Sequence, residues 1–550
     1  MADYLPPREL WPTRIYTLPE FATYPDRFNP TEELLEKAVA AGRGERVALL
    51  FEDQRITYAQ LLGQANKFGN ALRELGVGEG DRVILRTPTI PPAIVANFAV
   101  LKLGAVFTPI SPLFSRSEIA HVSNDSEAVA IIVHAALLGE VEAARENLKT
   151  VRNIIVIGGE PAELKARGYK LYGELLQAGG AKLDPVRRGR QDLALLLYTS
   201  GTTGRPKGTA HLVEETLIVP DTFGKYGWKV TENDIIGGSA PLAFGAGYST
   251  FATIPFRFGA AASLIAKFEP DKMFETIQKH RITVLSLAPT AYRKMLQLPG
   301  AEKTYDLSSL RVCTGGGESL TAATYHAWKQ KFGVEIFEGL GTTEMMYVFV
   351  SNVVKMRAKP GSFGTVVPGY EVRAVAEEGR DARPGEIGRF LVRGPTGTLY
   401  WCDPEKQRHA VTPDGWNRAG DYVYSDEEGY FWFVSREDDI IKSSAYRIGP
   451  EEIEMTLATH PAVADVGVIG VPDEVRGQIA KAFVVFKPGQ SVTSEELIEY
   501  CRSKIATYKL PREVEVVTEL PRTPTGKLLR RVLREKETQR ARSAHPTSSD

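Results

Sequence analysis

Apolar residues recur at helical spacing through Leu61, Leu62, Ala65, Phe68, Leu72 and Leu75, which predicts an amphipathic helix opening at about Thr57. Val83 to Leu85 then reads as a buried strand, Ala93 to Leu103 as a helix and Val106 to Ile110 as another short strand. Ala128–Val133 and Ile154–Ile157 repeat the alternation. A second cycle runs from Asp192 to about Ala374, with short apolar strands at Leu195–Tyr198, Thr283–Leu287 and Val334–Phe337. Strands alternating with helices predict an α/β fold of layered, mostly parallel sheets.

The pattern changes beyond Gly385. Short aromatic strands punctuated by glycine follow at Gly388–Val392 and Gly429–Val434. A compact α+β segment comes next, with a helix over 450–459, strands at Val466–Val471 and Ala482–Phe486, and a helix over 493–505. The change places a domain boundary near residues 436–440. Five prolines in the first 25 residues (Pro6, Pro7, Pro12, Pro19, Pro25) predict an extended arm laid on the surface. Residues 535–550 are polar and predict a frayed tail. The chain shows no internal repeat.

Composition narrows the function classes. With 43% apolar and 25% charged residues, the 550-residue chain is an ordinary globular mixture. Lys plus Arg minus Asp plus Glu is 67 − 68 = −1, which gives no support for nucleic-acid or membrane-surface binding. Cys313, Cys402 and Cys501 are too scattered for a disulfide framework or a zinc site. No run approaches the roughly 18 apolar residues of a membrane span, and Met1-Ala-Asp-Tyr opens no signal peptide. The expectation is a soluble, cytoplasmic protein.

The sharpest local signal is Tyr198-Thr-Ser-Gly-Thr-Thr-Gly-Arg-Pro-Lys-Gly208. Glycines allow close backbone approach, so successive N–H groups can converge on phosphate oxygens. Thr199, Ser200, Thr202 and Thr203 add hydroxyl donors, and Lys207 adds a point charge. Pro206 stands where a Walker A loop needs glycine. By composition alone a solvent-exposed Gly/Thr turn fits as well.

The ordered sequence resembles the phosphate loop of the AMP-forming adenylating enzymes, the superfamily of acyl- and aryl-CoA synthetases. Further motifs follow in the family's order. Gly339-Leu-Gly-Thr-Thr-Glu344 is similar to the family's Gly-x-Gly-x-Thr-Glu. The resemblance implies that Thr343 contacts the α-phosphate and that Glu344 helps hold Mg²⁺; standing alone, Glu344 reads as a helix-start or surface carboxylate. Gly315-Gly-Gly-Glu-Ser319 resembles the loop that packs on adenine. Arg418-Ala-Gly-Asp421 resembles the segment whose Asp accepts the ribose hydroxyls, and Val434 to Lys442 resembles the linker. There Arg436 is expected on the ribose and Asp438 at the hinge. Pro521-Arg-Thr-Pro-Thr-Gly-Lys527 resembles the C-terminal motif whose lysine bridges the acid and the α-phosphate.

The implied set is therefore Lys527, Thr343 and Lys207 for catalysis and Glu344 for the metal. Thr199, Ser200, Gly201, Thr202, Thr203, Gly204, Gly316, Gly317, Glu318, Glu338, Gly339, Leu340, Gly341, Thr342, Thr343, Asp421, Arg436, Lys442 and Ala445 are implied for ATP and CoA. The resemblance also implies a large adenylation domain over 1–436, with a small β-barrel-like part, and a small mobile domain over 437–550. A carboxylate attacks the α-phosphate of ATP with release of pyrophosphate, and CoA then displaces AMP. No protein nucleophile is required, so catalysis rests on positioning and charge stabilisation. A monomer or homodimer is expected.

Within the family, Leu340 to Asn352, Leu5 to Pro12 and Pro241 to Gly247 look most like benzoate- and 2-aminobenzoate-CoA ligases. The pocket wall implied is Ala243, Phe244, Gly245, Gly316 and Tyr347. Phe244 and Tyr347 also read as ordinary core aromatics. Tyr347 stands where benzoate ligases tend to carry His, and Ala445 where the family usually carries Gly in Ser-Gly-Tyr-Arg-Ile. His211 is read as structural. A short- or medium-chain aliphatic acid, a carrier-protein-loading adenylation enzyme and a non-catalytic nucleotide-binding protein stay open as alternatives.

Overall fold

The computed structural model describes residues 4–200, 205–318, 320–443, 446–473, 475–522 and 528–544, with the side chains of Ser200 and 541–544 excepted. Gly201, Thr202, Thr203, Gly204, Ala445 and Lys527 lie outside the described residues. The chain divides into two compact units, Met1–Val372 with Val392–Asn417, and Arg373–Leu391 with Arg418–Asp550.

The first unit holds two large sheets. One has seven strands in the order Pro206–Leu212, Leu193–Ser200, Val106–Pro109, Arg82–Arg86, Ala128–His134, Asn153–Ile157 and Lys170–Leu171. All its pairs are parallel except the edge hairpin of Leu193–Ser200 with Pro206–Leu212. In the other, five parallel pairings run from Ile336–Gly341 through Val312–Gly315, Val284–Leu287, Ile235–Gly238 and Ala261–Ser263 to Val47–Phe51. Residues such as Ile131, Ile84 and Leu196 are fully buried in the first sheet, as continuous apolar runs in parallel sheets require.

Helices cover these sheets where the apolar spacing predicts them. Tyr58–Glu74 buries Leu61, Ala65, Phe68 and Leu72, and Thr57 starts it with a capping box to Gln60, a device worth roughly 0.5–2 kcal/mol. The next helix, Pro91–Lys102, is buried on nearly every side. The N-terminal arm is largely exposed or half-buried, as a surface segment should be, but is anchored by a few buried side chains. Phe21 and Tyr24 are buried, and Arg14 is sunk between Glu214 and Glu215, 2.6 Å from the Glu215 carboxylate. Pairing compensates the cost of burying the guanidinium and pins the arm in place.

In the second unit, strands neighbour one another in the order Glu371–Val375, Gly388–Arg393, Asn417–Ser425 and Phe431–Arg436. A separate sheet joins Tyr446–Ile448, Ile441–Ser443, Gly477–Phe486 and Val463–Asp473, with Glu513–Val516 alongside Gly477–Phe486. Helices Pro450–Ala458 and Ser494–Arg502 pack on it through Ile453, Leu457, Leu497 and Cys501. Beside it sits a buried ion cluster. Arg530, at the start of the helix Arg530–Ala544, lies 2.7 Å from Glu454, 3.2 Å from Glu451 and 3.2 Å from Asp439. Arg534 also pairs with Asp439. Burial opposes the Arg530 charge, but the three carboxylates outweigh it and its pKa rises. Glu451 is pushed up to about 7, chiefly by burial.

Candidate active site

The phosphate-loop candidate is held by the edge hairpin. Thr199 faces Lys207 across the ladder, and Ser200 faces Pro206, so the chain returns immediately after the loop. Tyr198, one residue earlier, donates its hydroxyl to Asp125 at 2.6 Å from a buried position. Lys207 is half-buried. A hairpin whose first strand is fixed in the parallel sheet thus sets Thr199 and Lys207 side by side at the mouth of the loop.

The second large sheet supplies the facing segments. Gly315 pairs with Glu338, and Gly316 lies against the Gly339 carbonyl, with room for a Cβ only at 3.3 Å. Glu338 is buried, and its Oε1 accepts the Leu320 N–H at 2.8 Å. Burial, with a smaller push from Glu318, drives its pKa from 4.5 up to about 8. Glu318 itself is taken up by the Thr290 N–H at 2.7 Å and the Arg293 guanidinium at 2.9 Å. The Glu338 shift has a consequence for stability. Between pH 4.5 and about 8 the folded chain keeps a proton that the unfolded chain has lost, so stability falls as pH rises through that window. Glu338→Gln removes this loss, a few kcal/mol on the scale of about 1.4 kcal/mol per pKa unit. Its urea midpoint should match wild type near pH 4.5 and exceed it at pH 8.5.

The strand Ile336–Gly341 runs into a tight turn. Met345 N–H donates to Thr342 Oγ1 at 3.2 Å, Met346 N–H donates to the Thr343 carbonyl at 2.9 Å, and Met346 has a φ of +69°. A Cβ at Gly341 would lie 2.3 Å from the Tyr347 carbonyl oxygen, so the turn requires glycine there. Glu344 accepts the Tyr400 hydroxyl at 2.8 Å through Oε1. Its Oε2 has no hydrogen-bond partner among the described residues, and among them no group of three metal-ligating side chains occurs. One carboxylate with a spare oxygen fits Mg²⁺, a cation that keeps most of its ligands as water and phosphate.

Two of the acid-pocket candidates, Gly245 and Tyr347, lie at this turn. Gly245 opens the short helix Gly245–Tyr248, and a Cβ on it would fall 2.1 Å from the Met346 carbonyl oxygen. Phe244 precedes it half-buried, and Ala243 is buried. Tyr347 packs edge-to-face on Phe223 at 5.1 Å and on Trp228 at 6.0 Å. Burial raises its pKa, partly offset by the hydroxyls of Ser286 and Thr250. Gly245→Ala should displace the Met346 carbonyl and with it the segment holding Thr343 and Glu344. A rise in acid KM together with a loss in kcat, in a variant that still folds by circular dichroism, is the expected result.

In the second unit, Asp421 pairs across the ladder with Arg436, Oδ1 to Nη1 at 2.7 Å. Asp438 is exposed in the turn over 437–439. Lys442 is exposed on the strand Ile441–Ser443, with its N–H donated to Gln478 at 2.8 Å. His211, in the first unit, is fully buried with Nδ1 2.7 Å from Glu215, in keeping with a structural place.

The model of the AMP-binding enzyme family matches residues 35–401, and that of the AMP-binding enzyme C-terminal domain matches residues 452–527. The chain belongs to the AMP-binding enzymes. Over 524 residues it is 33% identical to the acetyl-coenzyme A synthetase of Bacillus subtilis, covering 92% of this chain and 90% of that one. It is 32% identical to the benzoate–CoA ligase of Thauera aromatica, covering 93% and 96%. Among solved structures, an anthranilate CoA ligase in complex with anthranoyl-AMP superposes with a TM-score of 0.86 at 35% identity, covering 94% and 99%. This AMP-binding enzyme is an acid–thiol ligase that forms AMP and uses ATP, Mg²⁺ and CoA. Among its described residues no helix is long and apolar enough to cross a membrane.

Two residues of this AMP-binding enzyme escaped the sequence reading. Tyr400 holds Glu344, and the Lys406 ammonium sits 3.5 Å above the Tyr400 ring centroid. Neither belongs to a spaced motif, and their proximity to Glu344 comes from a fold contact more than fifty residues away.

Proposed function

We propose that this ligase activates an aromatic acid of the benzoate or 2-aminobenzoate type. The observation that carries the reading is the aromatic wall of Phe223, Trp228 and Tyr347 behind the turn that bears Thr343 and Glu344. A flat ring is held by apolar and aromatic surface with few polar groups. The similarity to a benzoate–CoA ligase and to an anthranilate CoA ligase supports the same class. Similarity to an acetyl-coenzyme A synthetase at the same level keeps a short aliphatic acid as the second reading.

In the proposed mechanism the acid lies against Ala243, Phe244, Gly245, Gly316 and Tyr347. Thr199, Ser200, Lys207 and Thr343 hold the phosphates of ATP. Glu344 would hold Mg²⁺, which when bound neutralises phosphate charge. The adenine rests on Gly316 and Gly317 beside Gly339 and Leu340, and Asp421 with Arg436 takes the ribose. A carboxylate oxygen bonds to the α-phosphorus as the bond to pyrophosphate breaks, and Lys527 offsets the approach of two anions. The small domain, 437–550, then turns about Asp438 to bring Lys442 and Ala445 toward the thiol. The sulfur bonds to the acyl carbon, and AMP leaves.

An acid panel with ATP and CoA tests the reading, scored for pyrophosphate release and for acyl-CoA by mass. Benzoate and 2-aminobenzoate should exceed acetate, butyrate and hexanoate in kcat/KM by at least about tenfold, the value of one ring's burial. A preference for an aliphatic acid would overturn it, and AMP release that ignores CoA would point to a carrier-protein acceptor instead.

A further inference from the structure

A lysine that no sequence motif contains stands next to the metal-site candidate. Lys406 belongs to the short helix Pro404–Ala410 and is only partly exposed. Its ammonium lies over the face of Tyr400, the residue whose hydroxyl grips Glu344. Among the described residues no carboxylate comes within ion-pairing distance of it. It feels the charge of Glu344 and Asp403 as attraction and that of Lys207 as repulsion, so it shares an electrostatic neighbourhood with both phosphate-site candidates. A cavity of about 200 Å³ lies against Tyr400, and its charged lining is Arg205 and Lys207 with Asp125 and Asp403.

The cavity lining balances Arg205 and Lys207 against Asp125 and Asp403, while Lys406 stands on Tyr400, one of its walls, with no carboxylate at ion-pairing distance among the described residues. Burying an ammonium beside another cation is unfavourable unless an anion enters. The cation–π contact with Tyr400 offsets part of that cost, by about 0.5–2 kcal/mol, and fixes where the ammonium sits. A monoanion is balanced by Lys207 alone. A polyphosphate tail carries the charge that needs a second cation.

We propose that Lys406 is a second phosphate-binding cation of the ATP site, one that grips the β- and γ-phosphates and stays with them as pyrophosphate leaves. The inference rests on the reading of Lys207 and Glu344 as phosphate-site residues and adds a residue to it. Tyr400 then has two jobs, orienting Glu344 through its hydroxyl and Lys406 through its ring. The free lysine has a pKa lowered to about 8, by burial first and by Lys207 second, against the pull of Glu344 and Asp403. Below that pH it is charged before the ligand arrives.

The test uses the full-length enzyme and measures pyrophosphate binding by calorimetry, with Mg²⁺ and without it, beside AMP binding. Lys406→Met keeps the stem packed on Tyr400 and removes the charge. It should weaken pyrophosphate at least about tenfold, as expected for losing one charged hydrogen-bond partner, and leave AMP affinity unchanged. Wild-type affinity for pyrophosphate should fall as pH rises through about 8, against the gain that the ligand's own deprotonation brings. Lys406→Arg should bind tightly and lose that component, because guanidinium stays charged. Wild-type pyrophosphate affinity in Lys406→Met overturns the proposal. Should Lys207→Met weaken pyrophosphate while Lys406→Met does not, only this inference fails; if neither does, the phosphate-site reading beneath it fails too.

Discussion

Lys527→Ala loses acyl-adenylate formation by about 10²–10³-fold and still converts supplied acyl-adenylate and CoA to the thioester. The first half-reaction drives a carboxylate onto a phosphate, so its barrier contains the repulsion of two anions. A lysine between them is worth as much as a positioned donor in a dry site, roughly 2.7–4 kcal/mol. The second half-reaction attacks a neutral acyl carbon and needs no cation there. Pyrophosphate release with acid and ATP, and thioester formation from synthetic acyl-adenylate, measure the two steps separately. Equal losses in both would refute the assignment of Lys527 to the first step and the alternation about Asp438 with it.

Glu344→Gln should depress adenylation by a comparable factor at limiting Mg²⁺ and recover in part as Mg²⁺ is raised. The substitution keeps the side-chain volume and the acceptor for the Tyr400 hydroxyl, while removing the charge that a hard cation requires. Folding should be intact, because Glu344 is half-buried and makes no ion pair among the described residues. Adenylation that matches wild type across a Mg²⁺ titration is the outcome that removes Glu344 from the metal site.

The candidate site can be read along the chain because its parts are local. The turn after Ile336 and the Asp421 segment are short runs whose residue types follow from what the backbone must do. Gly341 and Gly245 are glycines because carbonyl oxygens of Tyr347 and Met346 occupy the space of a side chain. The layered α/β pattern was legible for the same reason, since parallel strands buried on both faces are uninterrupted apolar runs. Strand ends were not. Gly477–Phe486 starts five residues before the apolar stretch at Ala482, because Lys481 enters the sheet paired to Glu513, Glu515 and Glu537.

Tertiary pairs stayed hidden for a different reason. Arg14 looks like one more polar residue of a proline-rich arm until Glu214 and Glu215, two hundred positions on, are placed around it. Lys406 reads as a helix-surface lysine until Tyr400 and Glu344 are seen beneath it. Residues 418–436 carry the signature of the larger part of the chain, yet they are compact with the C-terminal part.

The cluster of Arg530, Asp439, Glu451 and Glu454 bears on how this enzyme can be recombined with its relatives. A graft joined after residue 440 would take Asp439 from one parent and Arg530 and Arg534 from the other. If the donor's helix lacks both arginines, the Asp439 carboxylate is left largely buried without a partner, at a cost of about 3–5 kcal/mol. A junction placed ahead of Arg436 carries the cluster across as one block. Splice position, rather than overall identity of the parents, should decide which of such hybrids fold.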